Sequence, residues 1–335
     1  MKDKPAFRNK YIIDQLQKAY GVEIAQLEFL PVGDISSAKY RAASANQDVF
    51  FLKLVKDRFK EISVTVPYFL YAQGIHQIIP PRKTKDGRLW TDLDGFTCIL
   101  YPFIEGQNGF QKLLSDDQWI GFGAALKRVH SVNLPPGLSR KIPSKTFSTH
   151  WRESVKGFLA GAENKTYQDP VAGKMAAGLI EHRDEIGFVL ERAGNLAKAL
   201  QSQLINRVLC HTDIHAGNLL LDTNNAIYMI DWDDPLMAPK ERDLMFIGGG
   251  MGGIWNTTRE EDLFYRGYGR TEIDLSALTY YRYERIVSDI GEFCQQILST
   301  SEGGADRERS LQKFYSIFLP NQALEIAYQT DLILK

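Results

Sequence analysis

Apolar residues recur at helical spacing between residues 8 and 20 (Tyr11, Ile12, Leu16, Ala19, Tyr20), and Gly21 stands where a helix would stop. The pattern then changes to short apolar runs that predict strands over 22–30 (VEIAQLEFL), 38–43 and 48–55 (DVFFLKLV), with turn-rich PVGDISS after the first. Residues 58–73 predict a helix in which Pro67 removes one donor and bends the axis. A buried strand is expected over 96–103 (FTCILYPF), running into polar EGQNG. Beyond that point helical periodicity dominates. Ser115 and Gln118 form a capping box for a helix through about residue 131. Further helices are predicted over 150–160, 170–200, 258–268, 274–298, 306–317 and 321–333, interrupted by strand-like RVLCH, NLLLD and AIYMIDWD within 207–231. No internal repeat occurs. The implied class is α+β and two-lobed, with a small β-rich N-terminal lobe and a larger, mainly helical C-terminal lobe.

Composition narrows this only by exclusion. With 335 residues, 44% hydrophobic and 24% charged, the chain is neither a disordered tract nor a rod, and it can bury a core without staples. A net charge of −1, from 40 basic and 41 acidic residues, argues against a general nucleic-acid binder. Cys98, Cys210 and Cys294 are far apart and form no C-x-x-C pair, so neither a disulfide framework nor a zinc site is expected. The charged start MKDKPAFRNKYIID lacks the apolar core of a secretory signal, and no apolar run is long enough to span a bilayer. A cytoplasmic monomer or weak dimer is expected.

The chemistry concentrates in LCHTDIHAGNLLLDTNNAIYMIDWDDP, residues 209–235. An apolar strand delivers His211 and Asp213 into a loop, Asn218 follows five residues after Asp213, and the strand from Ala226 to Ile230 ends at Asp231. A strand–loop–strand hairpin would bring Asp213, Asn218 and Asp231 to one end of a small sheet. Two oxygen ligands, Asn218 and Asp231, suit a hard cation such as Mg²⁺. The third carboxylate, Asp213, is left to accept a proton from a hydroxyl nucleophile. The H-x-D-x-x-x-x-N spacing, with Asp231 in I-D-W-D rather than D-F-G, resembles the protein-kinase-like superfamily in its aminoglycoside phosphotransferase branch. The longer run CHTDIHAGNLLL…IYMIDWDDPLMAPKERDLMFIGGGMGGIWN, with YYRYERIVSDI further on, is similar to the spectinomycin 9-phosphotransferase subgroup of that family. The resemblance implies transfer of the ATP γ-phosphoryl group to a hydroxyl of spectinomycin or a related aminocyclitol. Kinases of choline, homoserine or methylthioribose type are the alternative acceptor classes.

The resemblance also implies a nucleotide side. Lys53, in apolar FFLKL, corresponds to the lysine that holds the α- and β-phosphates, and a buried lysine needs an anionic partner. Glu61, eight residues on, is the natural candidate, with Asp57 as competitor. PVGDISSAKY takes the place of the phosphate-covering loop with one glycine, Gly33, and with Ser36 and Ser37 as donors; by composition alone it is a hairpin turn. ILYPFIEG looks like the hinge, where the Pro102 carbonyl and the Ile104 N–H would meet adenine, Phe103 being the alternative donor. The implied division is a nucleotide-binding lobe over 1–104 and a catalytic and acceptor lobe over 105–335.

Two readings from other classes stand beside this one. H-x-D-x-H, with His211 and His215 around Asp213, could ligate the metal of a hydrolase. An ATP-binding pseudokinase would carry the same motifs without turnover. GGGMGG, residues 248–253, has neither a preceding strand nor a following G-K-[ST] and reads as a helix exit. Charge is also unevenly distributed. Residues 1–104 carry 15 basic and 11 acidic residues, residues 105–335 carry 25 and 30, and 205–245 carries three against seven. That acidic field is suited to a cationic small-molecule acceptor.

Overall fold

The helix Asn9–Tyr20 buries Ile12, Leu16 and Tyr20, one stripe at four-residue spacing, and ends where Gly21 takes φ 71° and donates its N–H to Gln17 O at 3.0 Å. In this computed structural model, which describes residues 7–31, 37–57, 59–250, 253–300 and 303–334, that stripe packs on one face of a five-stranded antiparallel sheet. The strand order is Ile24–Leu30, Ser37–Ser44, Val49–Val55, Phe96–Pro102, Thr91–Leu93. Alternation along the central strand decides what each face does. Phe50, Leu52 and Leu54 enter the core under the helix, while Phe51 and Lys53 line a cleft on the other face. Lys53 lies opposite Lys39 on one neighbour and Ile99 on the other.

The chain divides into two units. The first comprises Met1–Pro143 with His211–Pro235, and the second Ser144–Cys210 with Leu236–Lys335. The first unit also holds the helix Ile62–Ala72, which contains Pro67, the helix Asp116–His130 and a three-stranded sheet. The Ser115 capping box is formed as the sequence predicts. The small sheet orders Gly106–Asn108, Leu219–Asp222 and Ile227–Met229. Gly106 is required there, because a Cβ would stand 2.2 Å from Leu221 O.

The second unit is helical around Leu275–Leu298, which buries Tyr280, Tyr283, Ile286, Val287, Ile290 and Cys294. Arg192 grips Asp331 with Nη2 at 2.6 Å and Nε at 2.9 Å, fixing the last helix, Ala323–Leu332.

Two expectations are corrected. The helix predicted over 170–200 is two helices, Pro170–Glu181 and Arg183–Gln201, broken at His182, whose ring stacks on Phe318 at 3.8 Å. The strand ahead of His211, Val208–Cys210, pairs with Leu236–Ala238 rather than with the strand leading to Asp231. That second strand instead forms a hairpin with Leu219–Asp222.

Candidate active site

The hairpin from Leu219–Asp222 to Ile227–Met229 positions both halves of the catalytic segment. Ile230 donates its N–H to Asn218 O at 2.9 Å, so the loop ending at Asn218 and the strand leading to Asp231 are tied at one point. His211, almost fully buried, adds a second tie, with Nε2 2.8 Å from Ile230 O. A carbonyl can only accept, so Nε2 carries the proton and Nδ1 accepts the Asp213 N–H at 3.3 Å. This imidazole therefore braces the backbone of Asp213. Thr212, at φ 80°, completes the turn by donating Oγ1 to Asp234 O at 3.0 Å.

Asn218 donates Nδ2 to Asp213 O at 2.8 Å and to Asp213 Oδ2 at 3.3 Å, leaving Oδ1 as an acceptor. Asp213 is half-exposed, with Oδ2 also 3.4 Å from His215 Nε2. His215 Nδ1 accepts the Gly217 N–H at 2.9 Å. Both histidines are thus occupied in shaping the loop. Among the described residues no metal-ligating cluster includes His211 or His215, and the metal-hydrolase arrangement does not form.

Asp231 takes φ 67°, in the left-handed region that aspartate tolerates better than most residues. Trp232 is buried beside it, with Nε1 donating to Met229 O at 3.0 Å and its ring 4.5 Å from that of His211. On either side of that wedge the carboxylates of Asp231 and Asp233 reach Lys53. Lys53, only 7% exposed, places Nζ 2.6 and 2.7 Å from the two Asp233 oxygens and 3.4 Å from Asp231 Oδ1. Burial alone would lower the lysine pKa, but the two aspartates outweigh it and hold the ammonium above its ordinary value. The Asp233 carboxyl is raised by desolvation and by the Asp231 charge, against the pull of Lys53.

The expected Lys53–Glu61 pair is absent. Glu61 sits ahead of Ile62–Ala72 and accepts from Lys141 Nζ at 2.9 Å through both oxygens. Lys53 is neutralised instead by Asp233, at 2.6 and 2.7 Å. Asp233 was not singled out from sequence, although the alternation I-D-W-D around a buriable tryptophan was the available signal. Lys39, opposite Lys53, lines the same cleft.

The cleft has a volume of about 450 Å³. Its apolar wall includes Phe51, Ile79, Tyr101, Leu220 and Ile230, and its polar end carries Lys53, Asn218, Asp231 and Asp233. Pro102, Phe103 and Ile104 line its edge. The Phe103 N–H is bonded to Val49 O at 3.0 Å, extending the sheet. Ser37 is buried at the start of its strand, opposite Val55. Gly33 and Ser36 lie outside the described residues.

A central-strand lysine, a loop in which Asn218 holds Asp213, and an aspartate just beyond the next strand are the arrangement expected of a phosphotransferase of the kinase-like fold. The chain belongs to the phosphotransferase enzyme family, whose profile matches residues 33–281. It is similar to spectinomycin phosphotransferase, APH(9)-Ia, solved with ADP and spectinomycin. The two are 36% identical with a TM-score of 0.92, over 98% of this chain and 99% of that one. The AMP-bound form of spectinomycin phosphotransferase matches at 35% identity and a TM-score of 0.88, over 97% and 99%. Choline kinase LicA from Streptococcus pneumoniae shares the fold at 14% identity and a TM-score of 0.60, over 96% and 98%. No curated protein matches the chain. Among the described residues no helix is long and apolar enough to cross a membrane.

Proposed function

We propose that this protein transfers the γ-phosphoryl group of ATP to a hydroxyl of spectinomycin or a closely related cationic aminocyclitol. The observation that carries the reading is full-length similarity, at 36% identity, to a phosphotransferase solved with ADP and spectinomycin. The site chemistry supports it independently. Nucleotide is assigned to the lobe over 1–104, with adenine against the apolar wall of the cleft. Because the Phe103 N–H is bonded within the sheet, the Ile104 N–H and the Pro102 carbonyl are the better-supported hinge contacts. The acceptor is assigned to the lobe over 105–335. The reaction is placed in the cytoplasm, where ATP is available, in a monomer or weak dimer.

The donor set fits Mg²⁺. The Asn218 amide oxygen and the Asp231 carboxylate both line the polar end of the cleft, and the geometry around Asn218 commits its NH₂ group to Asp213. Bound there, the ion would offset charge on the phosphates and on the transferring phosphoryl group. Lys53 holds nonbridging phosphate oxygens as a fixed point charge. Asp213 orients the acceptor hydroxyl and takes its proton as the new O–P bond forms and the bond to ADP breaks. The hydrogen bonds from Asn218 and the brace from His211 hold Asp213 for that step, so most of the acceleration comes from positioning.

The test is incubation of the purified protein with Mg-ATP and spectinomycin, other aminoglycosides, choline, homoserine and methylthioribose, read by mass spectrometry. Phosphate on spectinomycin is expected. Phosphate on another acceptor alone would replace the substrate, and nucleotide binding without transfer to any acceptor would favour the pseudokinase.

A further inference from the structure

We propose that Asp233, rather than Glu61, is the carboxylate that positions Lys53, so that one short segment sets both the metal ligand Asp231 and the phosphate-binding lysine. The inference rests on the phosphotransferase reading of this site and goes beyond it in assigning a role to Asp233. Both Asp233 oxygens lie within 2.7 Å of Lys53 Nζ, whereas both Glu61 oxygens lie 2.9 Å from Lys141. A buried ammonium left without a close carboxylate is strongly destabilising, so the identity of the partner has consequences for folding as well as for turnover.

The segment is built to hold this geometry. Trp232 is clamped by its bond to Met229 O and by the His211 ring, and the left-handed turn at Asp231, φ 67°, leaves the carboxylates of residues 231 and 233 both within reach of Lys53 Nζ. Asp234 is tied in turn to Lys60. Lys53 is therefore referenced to the strand end that carries Asp231, and not to the start of the helix Ile62–Ala72. The three protons of the ammonium are matched by three carboxylate oxygens, two from Asp233 and one from Asp231. A phosphate oxygen that binds Lys53 must displace one of them. Asp233 thus acts both as a positioning residue and as a competitor of nucleotide.

Two measurements test this on the full chain. Asp233→Asn should lower kcat about 10- to 100-fold without raising KM for ATP, because a competitor is lost together with the orienting charge. Glu61→Gln should cost at least ten-fold less in kcat. Asp233→Glu should recover part of the loss. Thermal unfolding of Lys53→Met combined with each variant provides a readout independent of activity. The Tm changes of Lys53→Met and Asp233→Asn should be non-additive, and those of Lys53→Met and Glu61→Gln additive. The reverse pattern, with Glu61 coupled to Lys53 and Asp233 not, would overturn the proposal. So would an Asp233→Asn enzyme whose kcat stays within two-fold of wild type. A wild-type protein that couples Lys53 to Asp233 but phosphorylates no acceptor would instead sink the phosphotransferase reading.

Discussion

Asp213 illustrates how one carboxylate is held by its neighbours. Its backbone is held by the His211 ring, its side chain receives an N–H from Asn218, and it remains half-exposed, as the proposed role of general base requires. Asp213→Ala is expected to reduce kcat by about 100- to 10,000-fold while Mg-ATP binding persists. Steady-state kinetics with isothermal titration separates the two effects, and more than about a tenth of wild-type kcat would remove its role as general base. Cysteine behaves oppositely. Burial pushes the Cys98 and Cys294 thiols up to about 12 and the Cys210 thiol well above its usual value. Native protein at pH 8 should therefore resist thiol alkylation at all three positions, whereas unfolded protein should react at all three. Mass spectrometry of labelled protein reads this directly. The contact of Asp213 with Asn218 and the burial of the three cysteines were both legible in the sequence, because a short motif and isolated cysteines in apolar runs depend on local context.

Elements show where that legibility ends. The helix Asn9–Tyr20 and the Ser115–Gln118 capping box follow from patterns within a few residues. The break at His182 does not follow from such a pattern, and its ring stacks on Phe318, 136 positions away along the chain. The helix Pro170–Glu181 carries another long-range feature. Its N-cap Asp169 accepts from Ala172 N at 2.7 Å and from Arg307 at 2.9 and 3.0 Å. The Arg307 hydrogen bonds, with the backbone bond from Ala172 second, hold the Asp169 carboxyl below its usual value. A depressed folded-state pKa means the stabilisation is present above the unfolded value, about 3.9, and is lost as pH falls through the folded one. Asp169→Asn should therefore lower Tm at pH 7, and the gap to wild type should close below about pH 4. A gap that persists undiminished at pH 2 would remove the charge from this account.

At the scale of the whole chain, near-neutrality conceals two charge populations. Residues 1–104 are net basic and 105–335 net acidic, with the excess of acid concentrated around the catalytic segment. A cationic acceptor drawn by that field should bind less well as salt rises, since the Debye length shrinks from about 30 Å at 0.01 M to about 3 Å at 1 M. KM for the acceptor should accordingly rise several-fold over that range, with kcat changing less, in steady-state assays corrected for any change in KM for ATP. An acceptor KM independent of salt would mean that recognition does not use this field.

The spacing of Asp213, Asn218 and Asp231 around one hairpin, the strand that carries Lys53 and the α+β class were readable from residue order, because each is a short-range pattern within one element or between neighbouring ones. The partner of Lys53 was not. Glu61 is eight residues away and Asp233 is 180, yet it is Asp233 that makes contact. Sequence distance says nothing about which of several carboxylates a folded backbone brings within 3 Å of an ammonium. The contact exists only once the first unit has folded, with Trp232 wedged between Asp231 and Asp233, His211 bonded to Ile230 O and Glu61 paired with Lys141.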